Sequence, residues 1–315
     1  TQKTELTILP KVDSLKVWVE VLDSQAFELD AKTGGTIREL QTGDELSTGA
    51  VIETSKDGFI NLYFPDSSTL RVSESTKFVL ENNYFDSSSG KLNVKVILLL
   101  GKVWSKIFSL ATPDSSWEVE TSNAVATVRG TAFGMEYISG KSSIIGSENK
   151  VEVAVLDPET KKAIKDAVVT IEPDKQIEIR KEDVEKIKKQ IVAAGAAGVV
   201  KKNEALVTSP TGEKLLEVRA ISAEVKKEEW IIKSKAEDEK INQKVEQLKE
   251  KRLKLPEIRK EIKQEIRETI KEKIKERINT SEPAAPQPIQ KPVNTPTALT
   301  RESLTVVPDR VLGEI

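Results

Sequence analysis

The 315-residue chain contains no histidine and no cysteine. That removes imidazole-based triads, thiolate nucleophiles and zinc sites built on either ligand. Carboxylates, hydroxyls, lysines and arginines remain. The 51 acidic residues supply many carboxylate pairs, but acid–base catalysis needs two of them fixed across a cleft with separated pKa values, and no spacing singles out such a pair. Ser105-Lys106 has the residue types of a Ser–Lys dyad, yet neighbours on a strand point to opposite faces. Gly134-Met-Glu-Tyr-Ile-Ser-Gly-Lys-Ser142 approximates a phosphate-binding loop, with five residues between its glycines where that loop has four. The next residues, Ser143-Ile-Ile-Gly146, read as strand and turn rather than as the helix whose N-terminus would hold phosphate. Asp-Ser-Ser triplets at Asp66, Asp86 and Asp114 could present oxygens to a cation. Without calcium-loop spacing they read as turns whose side chains accept from nearby backbone amides. The expectation is a non-enzymatic protein with no catalytic residue, metal or cofactor.

One stretch is more specific. Thr121 to Tyr137 consists of two alternating runs joined at Arg129-Gly130-Thr131. Gly130 suits a turn conformation closed to residues with a Cβ. Arg129 carries five fixed donors, suited to a corner's carbonyls or a carboxylate. Val128 and Phe133 point into a core on either side. Arg129, Gly130, Thr131 and Phe133 are expected to hold a structural corner, with a ligand contact for Arg129 as the other reading. Trp18, Trp104, Trp117 and Trp230 read as core rather than as the lining of a groove.

The elements that position these residues follow from periodicity. From Leu6 to about Ile179 apolar residues recur at period two, as at Val17, Val19 and Val21 or Leu92, Val94 and Val96. Gly34-Gly35, Asp57-Gly58, Pro65-Asp66 and Ser89-Gly90 supply turns between them. Closely spaced strands of this kind predict a β-rich roll or sandwich. Charge concentrates after Lys181, where the period changes. A short amphipathic helix presents Val184, Ile187 and Ile191, an Ala/Gly hinge or helix end covers 193–198, and Ala205-Leu-Val-Thr208, a Ser209-Pro-Thr-Gly212 turn and Leu215 to Ile221 read as a β-hairpin.

Residues 223–280 read as helical. Ile241, Val245, Leu248, Arg252 and Leu255 form a short heptad seam, which Pro256 interrupts. Beyond it Ile258, Ile262, Ile266, Ile270, Ile274 and Ile278 keep a strict four-residue spacing. On a helix of 3.6 residues per turn that stripe drifts by about 40° per step, so its partner must cross or wrap around it. The pair is either an antiparallel hairpin closing on itself or a stalk that packs on other subunits. Five prolines between Ser281 and Thr300 make an extended linker. Leu304-Thr-Val-Val307 could then add as a strand to another sheet's edge.

The expected division is therefore an N-terminal arm at 1–14, a β domain at 15–181, helix, hinge and hairpin at 182–222, a charged helical hairpin or stalk at 223–280, and a Pro-rich linker with a terminal strand at 281–315. The fold is α+β overall.

Several blocks resemble the FecR domain, in order along the chain. They are Gly43-Asp-Glu-Leu46 through Thr54, Phe59 through the Leu70-Arg71-Val72 strand, Gly101-Lys-Val-Trp104, the Val128-Arg-Gly-Thr-Ala-Phe133 corner, and the closing strands from Lys150 to Ile179. Together they span about 40–180. The resemblance implies an extracytoplasmic, non-enzymatic β module that, in the name-giving proteins, senses an outer-membrane receptor and signals to a sigma factor.

A net charge of −2 gives no field to recruit nucleic acid, and no uncharged apolar run reaches the roughly 18 residues that span a bilayer. The chain opens on Thr1, so processing of its N-terminus is expected, a removed secretory signal being one form of it. The leading expectation is a secreted or surface structural protein that associates with itself or with another surface protein. Ile258, Ile262, Ile266, Ile270, Leu304, Val306 and Val307 are its expected assembly contacts. The alternative is a FecR-type sensor or binding module for a protein or glycan. A small-molecule ligand is left open.

Overall fold

The computed structural model describes residues 16–280, apart from 87, 109–111, 195–201, 204–205, 209–213 and 252. The arm at 1–14 and the tail at 281–315, with Leu304, Val306 and Val307, lie outside the described residues.

Two sheets pack face to face and share one long strand. In chain order come β1 (Val17–Asp23), β2 (Ala26–Leu29), β3 (Thr36–Glu39), β4 (Glu45–Leu46), β5 (Val51–Thr54), β6 (Phe59–Tyr63), β7 (Thr69–Val72), β8 (Lys77–Asp86) and the shared β9 (Lys91–Lys106). After it come β10 (Ser116–Glu120), β11 (Ala124–Val128), β12 (Ala132–Ile138), β13 (Lys141–Gly146), β14 (Val151–Leu156), β15 (Ala163–Ile171) and β16 (Lys175–Arg180). The front sheet runs β4–β1–β6–β7–β9–β12–β13–β16. The back sheet runs β3–β2–β5–β8–β9–β10–β11–β14–β15. Every pairing named is antiparallel except β9 with β10.

The shared strand shows how the sequence makes the sandwich. Leu92, Val94, Val96 and Leu98 point inward from the back sheet, whereas Val103 and Ser105 do so from the front sheet. The phase of alternation flips at Leu99 and Leu100, both exposed. Gly101 sits at this break with φ +97°, and a Cβ there would lie 2.5 Å from the Thr76 Cα. Only glycine fits both demands, so the strand turns its corner at that residue. The core between the sheets includes Trp117, Phe78, Phe133 and Leu62. Trp117 packs edge-to-face on Phe64 at 4.6 Å and donates its indole N–H to Ser105 at 3.2 Å.

After the sandwich, α1 (Lys181–Ala194) places Val184 and Ile187 in the core. Its start is tied by Asp183, which accepts from the Arg180 amide at 2.9 Å. A small sheet of β17 (Lys202–Asn203), β18 (Leu206–Thr208) and β19 (Lys214–Glu217) seats Leu215 and Leu216 beside it. Short β20 (Arg219–Ala220) extends the front sheet from β16. Then α2 (Glu229–Glu250) and α3 (Leu255–Thr280) form a helical pair. The second starts cleanly because Glu257 accepts from the Lys254 amide at 2.7 Å, and Pro256 falls in the first turn, where no helical N–H is needed. The architecture is a β sandwich followed by a helical region, the fold class read from periodicity.

Candidate functional site

The outer face of the front sheet carries the residues that alternate with its core positions. On β1 these are Trp18 and Glu20, on β6 Asn61 and Tyr63, on β7 Thr69 and Arg71, and on β9 Trp104 and Lys106. A solvated face would be polar throughout, but Trp18 and Trp104 are 6% and 0% exposed. The cover is the helical pair.

The helices diverge across this face. Near their connection Leu248 packs with Ile258 and Ile262, and Lys244 bridges to Glu265 at 2.8 Å. The first turn of α2 lies on β9, β12 and β13, where Trp230 packs with Trp104, Ala132 and Ile145. The two indoles meet edge-to-face at 5.9 Å. Gly134 makes this approach possible, since a Cβ there would lie 2.8 Å from Trp230 and 2.9 Å from Trp104. The far end of α3 lies instead on β1, with Ile270 and Ile274 on Trp18. Arg267 stacks over the Trp18 ring at 5.6 Å.

Paired charges complete the seam. Asp238 of α2 accepts from Arg71 at 2.5 Å on one carboxylate oxygen and from the Trp104 indole at 2.8 Å on the other. Burial pushes the Asp238 carboxyl above the usual range, against Arg71 and Trp104, which hold it down. Lys106 donates to Glu148 at 2.5 Å and to Asn242 of α2 at 2.8 Å. On the other flank Lys273 of α3 bonds Glu20, whose second oxygen accepts from Tyr63 at 2.5 Å and Asn61 at 3.1 Å. Burial, then the Glu20 charge, push the Tyr63 phenol far up, so it stays a donor. Each of these charges is spent on a partner across the seam, which suits a joint between two parts rather than acid–base chemistry.

The sequence-derived candidates fall elsewhere. Arg129 donates to the Pro113 carbonyl, Asn149 donates to the Gly130 carbonyl at 2.9 Å, and Thr131 donates to Asn149 at 3.3 Å. Gly130 has φ 143°, and Phe133 and Val128 are buried. Ser105 and Lys106 do face opposite ways, one to Trp117 in the core and the other to Glu148 outside. Gly134 to Ser142 is a β12–β13 hairpin with Ser139 and Gly140 at φ 51° and 78°. Asp66 accepts from Ser68, and Asp86 from Ser88 and Ser89, as turns do. Among the described residues no cluster of three or more carboxylates could hold a metal ion.

One expectation needs correction. Ile258, Ile262 and Ile270 are buried inside the chain, and Ile266 is packed between the same two clusters. They are not a free surface for other subunits. Their winding stripe meets α2 first and β1 afterwards, a change of partner that the drift of a four-residue spacing requires. Trp18 and Trp104 are core, as their pattern predicts, and they are buried on the outer face of the front sheet beneath the helices. Arg71, Asp238, Glu20 and Tyr63 were not singled out by chemistry at all. The available signal was the phase of the tryptophans, which sit opposite the core positions of their strands.

Residues 50–155 match the model of the FecR protein family. This stretch runs from β5 through β14 and contains Arg71, Trp104 and the Arg129 corner, while Asp238 and both helices lie beyond it. No curated protein matches the chain. Two crystal structures, each of a candidate anti-sigma factor from Parabacteroides distasonis, are similar to it in part. One has 16% identity and a TM-score of 0.32, over 41% of this chain and 54% of that one. The other has 14% identity and a TM-score of 0.34, over 48% of this chain and 67% of that one. The chain thus spans about half the length of the first and two thirds of the second. Among the described residues no helix is long and apolar enough to cross a membrane.

Proposed function

We propose that this chain is a non-enzymatic, FecR-type sensor or binding module that works outside the cytoplasm. Its sandwich recognises a protein or glycan partner, and the helical pair passes that event on. The observation that carries this reading is the Arg71–Asp238 joint, which ties the family-matched sandwich to helices outside the match. A seam that includes paired charges and hydrogen bonds can open with less exposed apolar surface than a wholly greasy one, as interfaces within a chain that move usually do. The match supports a recognition role, and the inward-facing isoleucines weaken self-assembly as the main role.

Recovery of the tagged chain from its native host in mild detergent, with light scattering of the purified chain alongside, tests this. A monomer when pure and a defined hetero-complex in the host are expected. Concentration-dependent growth of the pure chain into polymers would sink the proposal in favour of a structural role.

A further inference from the structure

Lys106 lies on the outer face of β9 and is only 4% exposed, a degree of burial that lysines almost never reach unless paired. Ala132 sits opposite it on β12, and Trp104 precedes it on the same face; both are buried. Three side chains from three parts of the chain meet at its amine. The Lys106 Nζ donates to the Glu148 Oε1 at 2.5 Å and to the Asn242 Oδ1 at 2.8 Å, and the Asn242 Nδ2 donates to the same Glu148 oxygen at 2.9 Å. Glu148 follows β13, where its backbone amide donates to the Ala132 carbonyl at 3.2 Å. Asn242 continues the four-residue stripe of Trp230, Ser234 and Asp238, the buried side of α2.

This triangle has one orientation. An ammonium only donates and a carboxylate only accepts, so the carboxamide turns its oxygen to Lys106 and its nitrogen to Glu148. A C=O bond of about 1.23 Å then puts the Asn242 Cγ no more than about 4 Å from the Lys106 Nζ. An ion pair alone would need only Lys106 and Glu148. Here an amine, an acyl carbon, and a carboxylate touching both the amine and the leaving nitrogen stand together, and these are the parts of an acyl transfer.

The geometry points to an intramolecular amide bond between Lys106 and Asn242, formed once, with Glu148 as the proton carrier. Glu148 takes one proton from the Lys106 ammonium. The freed lone pair attacks the Asn242 Cγ, forming the C–N bond while the C=O π pair moves onto Oδ1. As that pair returns, the Cγ–Nδ2 bond breaks; Glu148 hands its proton to Nδ2 and takes a second one from Nζ. Ammonia leaves, Lys106 and Asn242 share a neutral amide, and the carboxyl keeps one proton. The step needs no oxidant, metal or second substrate. It is a self-joining without turnover, so the chain remains non-enzymatic. A single tether on α2 lets the helical pair lift locally from the sheet but not separate from it. The bond concerns the joint itself and is independent of which partner the module recognises.

Intact-mass spectrometry and peptide mapping of the full chain test it. The purified protein should weigh about 17 Da less than its sequence, the mass of one ammonia. Digestion should yield a branched peptide joining Lys106 to Asn242, and a nick between these residues should leave the two pieces joined in boiling SDS. Glu148→Gln and Asn242→Ala should melt cooperatively at a lower Tm and keep their full sequence masses. The wild-type measurement stands whether or not either variant folds. A wild-type chain at its full sequence mass, a loss that maps to any other residue, or a loss retained by Asn242→Ala would overturn the bond and leave a hydrogen-bonded contact.

Discussion

Arg71 and Asp238 stand 167 residues apart in the chain and share a 2.5 Å ion pair that is almost wholly buried. One residue belongs to the sandwich and the other to the first helix of the pair, so their contact records where the two halves meet. The Trp104 indole completes it at 2.8 Å. Removing either partner of a buried pair leaves the other charge uncompensated.

Asp238→Ala should therefore destabilise the protein by about 3–5 kcal/mol, read from urea denaturation. It strands Arg71 and the Trp104 N–H together. A double variant, Arg71→Met with Asp238→Leu, should regain most of that loss, because the desolvation cost disappears with both charges. Failure of the double variant to recover would show that the seam depends on the charges for more than stability.

Gly134→Ala adds a Cβ within 3 Å of both Trp104 and Trp230. Overpacking at a tight contact costs about 1–3 kcal/mol. The expected result is a lower melting temperature together with a changed tryptophan emission spectrum, as the indoles separate. A silent variant would mean that α2 does not rest on β12.

Ile270→Ala should cost about 2–5 kcal/mol, since the side chain is 2% exposed against Trp18. Light scattering should show no change in mass. A variant that changes mass and leaves stability alone would make Ile270 a contact between subunits after all.

The turn at Asp86 gives a pH dependence with a definite sign. The Ser89 and Ser88 hydroxyls and the Ser88 amide lower its pKa from 3.8 to about 2. The folded value lies below the unfolded one, so the turn's contribution is present above pH 3.8 and is lost as pH falls through about 2. Asp86→Asn should be less stable than wild type at neutral pH and equal to it once pH has dropped through that window. Denaturant midpoints across the range decide it, and a gap that persists in acid would contradict the assignment.

The sandwich was legible because its strands alternate and its turns are marked by Gly, Pro, Asp and Ser, signals that act within a few residues. Leu92 to Leu98 and Val17 to Val21 needed no tertiary knowledge. The switch of β9 between sheets was harder, although Leu99-Leu100-Gly101 marks it as an interruption of alternation followed by a glycine. The seam was the least visible part. Arg71 sits in an ordinary strand pattern and Asp238 among many other charges, and only their meeting across 167 residues gives either a role. Phase offered a partial clue, since Trp18 and Trp104 occupy positions that an uncovered sheet would leave to polar residues. The isoleucine stripe showed that α3 needed a partner, but spacing alone could not distinguish the chain's own sheet from a second subunit.

Native-state hydrogen exchange tests most directly whether the helical pair is a clasp on the sandwich. The helix amides should exchange as one cooperative unit, at a lower opening free energy than the strands of the sandwich, and Asp238→Ala should lower that opening energy further while leaving the back sheet's protection less affected. Helices that exchange only with global unfolding, or that show no protection at all, would contradict a clasp that opens on the folded module.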